Sequence, residues 1–579
     1  MRKGGIMGRF NLIDDKWIEV LVNKKGDKQL VGLRDIFLNS DSYLDISGDM
    51  NIQDFAIMRL ILAIMHTVFS RFDASGNPYE EIEINEKMQQ VEAVDDEDYE
   101  EYEEDLIDTW ENLWNNKKFP KIVLEYLDFW YDRFYLFDEK YPFFQVTEEY
   151  ISVDRIKGKK VGDISGKTIN RTITESNNKI ALFSPKEEKN KNILKNDEIA
   201  RWLITFQAYT GLSDKTVYGK EKYKKRNSKG WLYDLGAVYF KGENLFESLM
   251  LNFVILNTKN KHYSYNIQKP SWEFRDCELI DSYLNYMPID NISHLYTVYS
   301  RAIYIDPEFD DSEEFSMNLI KLPEVSHEDN FLEPMTVYRY NTSGDYKEKY
   351  TPRKHPSNQS MWRSFGQITM EYENLENSKN ANRQKRPGIM DWLAVVHKEI
   401  DYNRIKVNAL SLEDDGNATS WVPTNEIYDS MPLAIDLLTE DTADGRTQRI
   451  FKLVEETKKI INQVYGGYLG YISKIRGLEK SDFVDREIEK MYYLIDKPFR
   501  DLIESIDKDD DSDVIEDERR RNLKNIVYNQ GVKFFDEASD RDYTLVDING
   551  EPINVVIAFN RFKSILNNLL ERRDSEKGK

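Results

Sequence analysis

Apolar residues in this chain recur at helical spacing over several long stretches, and the longest apolar run, Gln53–Phe69, is apolar on most of its surface and predicts a buried helix. Before it, Phe10–Val22 (FNLIDDKWIEVLV) predicts two short strands about an Asp-Asp turn, so an α/β core opens the chain. Trp and Phe recur at helical spacings through Leu106–Trp114 and Tyr126–Phe137 and are assigned to the core. Ile199–Thr210 is helical in pattern and stops at Gly211, Asn244–Leu256 predicts another helix, and the alternation in Tyr296–Ile305 predicts a strand. Arg404–Leu412 predicts a strand and Glu413–Trp421 a loop. Two stretches lack periodicity. Val153–Asn196 predicts long loops, and the polar, proline-punctuated region from Lys321 to Gly388 is interrupted by a predicted helix over Trp362–Tyr372.

The C-terminal part changes character. Ile450, Leu453, Val454, Thr457, Ile460, Ile461 and Val464 lie at helix spacing, as do Ile488, Met491, Ile495, Phe499 and Leu502, with a kink predicted at Pro498. Leu523, Ile526, Val527, Gln530 and Phe534 mark a third helix, and Val555, Phe559, Phe562, Leu566 and Leu569 a fourth. The predicted class is α+β: a large mixed α/β N-terminal domain with long loops over residues 1–428, followed by an antiparallel four-helix bundle over 429–579.

Charge changes the picture of what such a chain could bind. The 579 residues carry 80 Lys plus Arg against 104 Asp plus Glu, a formal charge of −24, which ordinarily argues against a nucleic-acid partner. The charge is local, however: Glu92–Asp108 carries 11 acidic residues and no basic one, and Asp501–Glu518 carries 10 with a single lysine. The second acidic run is expected in a connection between bundle helices, around Asp509–Glu518. Both segments are expected to lie away from any bound duplex. Elsewhere the chain is close to neutral, with basic stretches at Lys215–Lys229 and Val153–Arg171. The single cysteine, Cys277, excludes internal disulfides and suits a reducing cytoplasm, and Met1–Arg9 has no apolar stretch of signal-peptide length. Phe55–Phe69 is too short to span a bilayer and contains Arg59, so no membrane is expected.

Candidate catalytic chemistry is absent from the pattern. None of His66, His262, His294, His327, His355 and His397 falls in a metal-binding spacing, and His66 reads as a packed core residue, so neither metal nor cofactor is expected. Gly162-Asp-Ile-Ser-Gly166-Lys167-Thr168 imitates a P-loop but has three residues between its glycines where four are needed, and a basic segment precedes it in place of a buried strand. What remains is a set of small-residue loops beside basic and aromatic residues. Such loops let backbone approach a duplex while Lys and Arg hold its phosphates, a pattern that a protein-interaction scaffold would also produce.

Several collinear segments resemble one family, the large subunit (CasA) of type I-E CRISPR surveillance complexes (Cascade). These are the opening FNLIDDKWIEV with Leu33-Arg34-Asp35-Ile36, the aromatic run Trp130–Phe137 followed by Tyr141-Pro-Phe-Phe-Gln145, and Ser176–Phe183. Gln207-Ala-Tyr-Thr-Gly-Leu-Ser213, Gly236–Leu249, Tyr299-Ser300-Arg301, Trp362-Arg363 and Asp414-Asp-Gly-Asn-Ala-Thr-Ser-Trp421 follow in the same order.

The resemblance implies a non-catalytic subunit that sits at the 5′ handle of the CRISPR RNA. It would recognise the protospacer-adjacent motif (PAM) of double-stranded target DNA through the minor groove, wedge the strands apart and recruit a helicase-nuclease, alongside other Cascade subunits. By position, Gly211, Leu212, Ser213 and Asp214 would read the PAM, and Asn417, Ala418 and Thr419 would form the wedge. Lys215, Lys220, Lys222, Lys224, Lys225 and Arg226 would hold DNA backbone, and Phe183 would meet the RNA handle. Asp214 stands where relatives tend to have glycine, and the lysine they contribute near the end of the N-terminal domain has no clear counterpart, although Arg339 and Lys321 are in the neighbourhood. The alternative reading is an acidic protein-interaction scaffold without direct DNA contact.

Overall fold

The computed structural model describes residues 8–157, 160–172, 174–176, 179–180, 184–211, 216–218, 228–370, 383–416, 423–439, 445–506 and 512–571. Its contacts separate two compact units: one of residues 1–357 and 371–430, the other of 358–370 and 431–579.

The first unit is built around the helix Asn51–Phe69. Leu60, Ile61, Leu62, Ala63, Ile64 and Met65 are all fully buried, as are Val68 and Phe69, so no face of this helix is left for solvent. It is longer than the apolar run suggested, and by length and composition it could cross a membrane, but 94% of its apolar window is buried inside the protein. Burial, rather than shortness, is what makes it a core helix. Two arginines, Arg59 within it and Arg71 just beyond its end, cannot be left unpaired in such surroundings. Arg59 forms a bidentate pair with Glu333 at 2.9 and 2.7 Å and packs over the Tyr296 ring at 3.7 Å. Arg71 pairs with Glu273 at 2.8 and 3.0 Å, and Tyr126 donates its hydroxyl to the same carboxylate at 2.6 Å. His66 lies against Phe253 and Tyr296, and burial pushes its imidazole down to about 3, so it is a neutral packing residue.

The two strands expected in Phe10–Val22 are present as Arg9–Asn11 and Ile18–Leu21, but they do not pair with each other. The first runs antiparallel to Tyr135–Phe137, and the second lies between Lys28–Val31 and Asp45–Ile46. A three-stranded sheet places Ser316–Lys321 between Arg301–Tyr304 and Gly162–Ser165. Another places Arg404–Asp414 between Gly236–Lys241 and Pro423–Ala434. The expected strand Tyr296–Ile305 is half right. Its first residue ends the short helix Ile292–Tyr296, capped by the Asn291 side chain, and the strand begins only at Arg301.

The aromatic stretch divides into the helix Tyr99–Asn116, the helix Ile122–Phe129 and the strand Tyr135–Phe137. In the first of these Tyr102, Leu106, Trp110, Leu113 and Trp114 face inward, and Glu100, Glu101, Glu104 and Asp108 are exposed. Much of the first acidic run is therefore the solvent side of an amphipathic helix.

In the second unit, Arg446–Lys459 continues through a π-helical turn, Ile460–Tyr465, into Gly466–Arg476, followed by Phe483–Ser505, Ser512–Asp536 and Val555–Glu571. Among the described residues these four helical stretches touch in a closed ring, each packed on at least two others. Helix Phe483–Ser505 runs on through Pro498. The second acidic run was expected in a connection. Asp501–Ser505 ends one helix and Ser512–Glu518 opens the next, since acidic residues suit a helix N-terminus, while residues 507–511 lie outside the described residues. The segment 358–370 joins this unit by packing: Trp362 stacks on Phe499 at 4.2 Å and donates to Asp496 at 2.9 Å, and Arg363 lies over Tyr492 at 3.5 Å. In place of one helix it forms a 3-10 turn, Met361–Ser364, and the short helix Phe365–Thr369.

Burial alone would raise the Glu333 carboxyl, but the Arg59 guanidinium and the Trp231 and Met335 N–H groups hold it below the usual carboxylate range. Glu333→Gln should destabilise the first unit by about 3–5 kcal/mol by stranding Arg59. Denaturant unfolding checks this, and a loss below about 1 kcal/mol would contradict it.

Candidate nucleic-acid interface

Two loops of the first unit leave the fold from roots that are tied together. The first follows the helix Asn196–Tyr209, whose N-terminal turn holds Asp197 and Glu198, with Glu198 accepting from the Lys195 N–H at 2.9 Å. The helix gives way to Thr210 and Gly211; Val217 and Tyr218 bridge to Lys321 and Ile156, and the next helical turn among the described residues is Trp231–Asp234. Between them Gly230 donates to the Thr210 carbonyl at 2.9 Å, closing the root. A side chain at Gly230 would bring its Cβ within 2.3 Å of the Ala208 carbonyl oxygen, so only glycine allows the two stems to approach this closely.

Arg301 grips both stems. Fully buried, it donates from Nη2 to the carbonyls of Gly211 at 2.5 Å and Ser228 at 3.0 Å, and from Nη1 to the Ser228 hydroxyl at 3.2 Å and the Ser300 carbonyl at 2.8 Å. Gln207 locks Arg301 in turn. Its Oε1 accepts from the Ser300 and Arg301 N–H groups at 2.9 and 3.1 Å, and its Nε2 donates to the Arg301 and Phe144 carbonyls at 2.9 and 3.0 Å. Gln145 repeats the device one step away, donating to the Leu136 carbonyl at 2.7 Å and accepting from the Ile305 N–H at 3.2 Å.

The second loop begins where the strand Arg404–Asp414 ends. Gly416 adopts φ +65°, and its N–H donates to the Asp414 carboxylate at 2.9 Å, a tight turn that starts the loop. Lys354 pairs with the same carboxylate at 2.9 Å and lies 3.7 Å from Asp234, which Lys229 holds at 2.9 Å. This chain of charges links the root of one loop to the root of the other. Burial would raise Asp234, but Lys229, Lys354 and His327 hold it below the usual carboxylate range, so its contribution to stability is lost as pH falls through that lowered value. On the far side of the second loop, Glu426 accepts from the Asn51 side chain at 2.7 Å and from the Ile52 N–H at 3.2 Å, at the positive end of the core helix.

Of the residues named from sequence, Gly211 is buried at the root of the first loop. Leu212, Ser213, Asp214, Lys215, Lys220, Lys222, Lys224, Lys225, Arg226, Asn417, Ala418, Thr419 and Phe183 lie outside the described residues. Gln145, Gln207, Ser300 and Arg301, which carried the family resemblance, form the frame beneath the loops. Lys354, Asp234 and Glu426 had not been singled out, because nothing in their sequence context distinguishes a root-tying charge from a surface one.

The P-loop-like segment has a different fate. Gly162–Ser165 is a strand on the sheet edge and Gly166–Ile169 a single helical turn. Its amides are already committed, Gly166 N–H to the Phe315 carbonyl at 3.0 Å and Lys167 N–H to the Asn192 side chain at 3.1 Å, which leaves no cradle for phosphate there.

The family described as CRISPR-associated protein Cse1 matches residues 11–532. This chain belongs to the Cse1 family. A CasA/Cse1 protein of Thermus thermophilus is 24% identical over 388 residues, a stretch that spans 64% of each chain and so just under two thirds of that relative. The fold is similar to the crystal structure of Thermobifida fusca Cse1, with a TM-score of 0.74 at 22% identity over 97% of this chain and 98% of that one. It is also similar to a chain of a CRISPR RNA-guided surveillance complex, with a TM-score of 0.65 at 14% identity over 96% of this chain and 99% of the other. These likenesses establish a Cse1 fold over nearly the whole length.

Arg301→Met should cost about 3 kcal/mol or more, because several buried acceptors are deprived of their donor at about 1–3 kcal/mol each. It should also speed amide exchange at 208–211 and 228–230 ahead of the rest of the unit. Unchanged exchange at those amides would show that Arg301 does not hold the stems.

Proposed function

We infer that this chain is the large, non-catalytic subunit of an RNA-guided surveillance complex of the Cascade type, working in the cytoplasm. It reads the PAM of a target duplex and opens the helix beside it. The observation that supports this reading is the tying of two loop roots into one rigid frame in a member of the Cse1 family. A wedge must transmit force to the strands without yielding, and a loop anchored by a buried arginine and a line of ion pairs is suited to that task.

In this reading Gly211, Leu212, Ser213 and Asp214 approach the minor groove, which distinguishes mainly A·T from G·C, so the preference is permissive. Asn417 offers both a donor and an acceptor to base edges, while Ala418 and Thr419 are small enough to enter between strands. Lys215, Lys220, Lys222, Lys224, Lys225 and Arg226 neutralise phosphates, and Phe183 stacks on the RNA handle. After opening, the assembled complex recruits a separate helicase-nuclease, with the other Cascade subunits holding the guide RNA. The exposed carboxylates of helix Tyr99–Asn116 favour, as a second reading, a docking face for a basic protein.

Replacing Asn417 with Ala and deleting Ala418–Thr419 should abolish binding of the assembled complex to a target duplex while leaving incorporation of the subunit intact. Unchanged duplex affinity in an electrophoretic or interferometric titration would refute the wedge and favour the scaffold. Exchanging Lys222, Lys224 and Lys225 for Ala should reduce the slope of log affinity against log salt by about 2–3, close to 0.9 for each phosphate no longer neutralised. An unaltered slope would remove them from the backbone-binding set.

A further inference from the structure

Arg171 differs from the four fully or almost fully buried arginines around the core helix and the first loop's root. Arg59 and Arg71 have glutamates, Arg201 donates to Asp197 at 2.9 Å, and Arg301 is surrounded by carbonyls. The half-buried Arg171 makes no hydrogen bond or ion pair among the described residues. Its backbone is nevertheless well held. Asn170, itself 2% exposed, accepts from the Thr172 N–H at 3.0 Å and the Thr172 hydroxyl at 2.7 Å, and this turn presents the residue between them.

Arg171 lines a recess whose walls come from the roots of both loops. Phe206 and Tyr209 belong to the helix that leads into Gly211, while Leu412 and Pro423 flank the second loop on its two sides. No residue lining the recess carries a carboxylate. The recess has a volume of about 20 Å³, room for one water-sized group and far too little for a nucleobase. Burial pushes the guanidinium below the usual arginine range, with the Tyr233 hydroxyl as the opposing influence.

We propose that Arg171 is a nucleic-acid contact, holding a backbone phosphate of the DNA strand at the junction of the two loops. An arginine kept from counter-ions inside the protein, at a site admitting a single oxygen, fits one phosphate oxygen entering from outside. The contact positions the strand where it leaves the duplex and carries no base specificity. It rests on the reading of the two loops as the duplex-opening element.

The test uses the full chain in the assembled complex, with Arg171→Met and Arg171→Lys compared against the Asn417→Ala, Ala418–Thr419 deletion. Arg171→Met should leave the thermal midpoint of the free subunit and its incorporation unchanged. It should weaken duplex binding about tenfold, the value of one charge-assisted hydrogen bond. It should also make the salt slope shallower by about 0.7–0.9. Arg171→Lys, which keeps the charge, should restore the slope. A slope unchanged in Arg171→Met, or a lowered thermal midpoint with an unchanged slope, overturns the proposal and makes Arg171 a structural residue. If the loop deletion also leaves duplex affinity unchanged, the reading of the loops fails with it; if the deletion abolishes binding while Arg171→Met has no effect, the phosphate role of Arg171 fails alone.

Discussion

The first unit depends on the burial of two charged side chains in and beside a helix that has no exposed face. Arg59 and Arg71 could not enter the core without Glu333 and Glu273, and each carboxylate is drawn in by further donors, Trp231 and Met335 for one and Tyr126 and Gln89 for the other. Through these donors the core helix fixes parts of the chain that lie far from it in sequence. Trp231 stands directly after the first loop, so the Arg59–Glu333 pair is also the innermost support of that loop. The frame beneath the loops is thus built outward from the core, through Trp231 and Gly230 to Arg301 and the stems.

Much of this was legible wherever burial follows a period. The core helix, the helix leading into Gly211, the strand from Arg404 and the four C-terminal helices are all marked by apolar spacing, because a single buried face repeats every 3.6 or 2 residues. Pairing was not legible. Arg9–Asn11 and Ile18–Leu21 are close in sequence and each looks like half of a hairpin, yet both find partners elsewhere, since the choice is made by tertiary packing rather than by the turn. The alternation in Tyr296–Ile305 misled for a similar reason: Tyr296 and Tyr299 are buried by packing from the core, which reproduces a strand pattern without a strand.

The site was legible in a different sense. Several of the short segments that resembled one family converge at the two loop roots, but the residues in them that the structure describes are mainly support. Gln207 and Arg301 form a frame of hydrogen bonds among polar side chains and backbone, a chemistry that composition and periodicity do not register. The ion-pair chain from Lys229 to Asp414 was hidden for the most part, because its members come from three separate segments of the chain. The acidic runs, for their part, are less mysterious in space than in sequence. Much of one is a helix surface, and the described residues of the other lie mostly at two helix ends.

The way Arg301 holds the first loop has a consequence for how such a protein can change. It grips the carbonyl oxygens of Gly211 and Ser228, groups that every amino acid possesses. Of the side chains at those two points only the Ser228 hydroxyl adds to that grip. Substitution at either stem therefore leaves the carbonyl that Arg301 holds in place, whereas the segment between them is itself tied in where Val217 and Tyr218 bridge to Lys321 and Ile156. The stems can thus drift in sequence while the geometry of their junction is inherited unchanged.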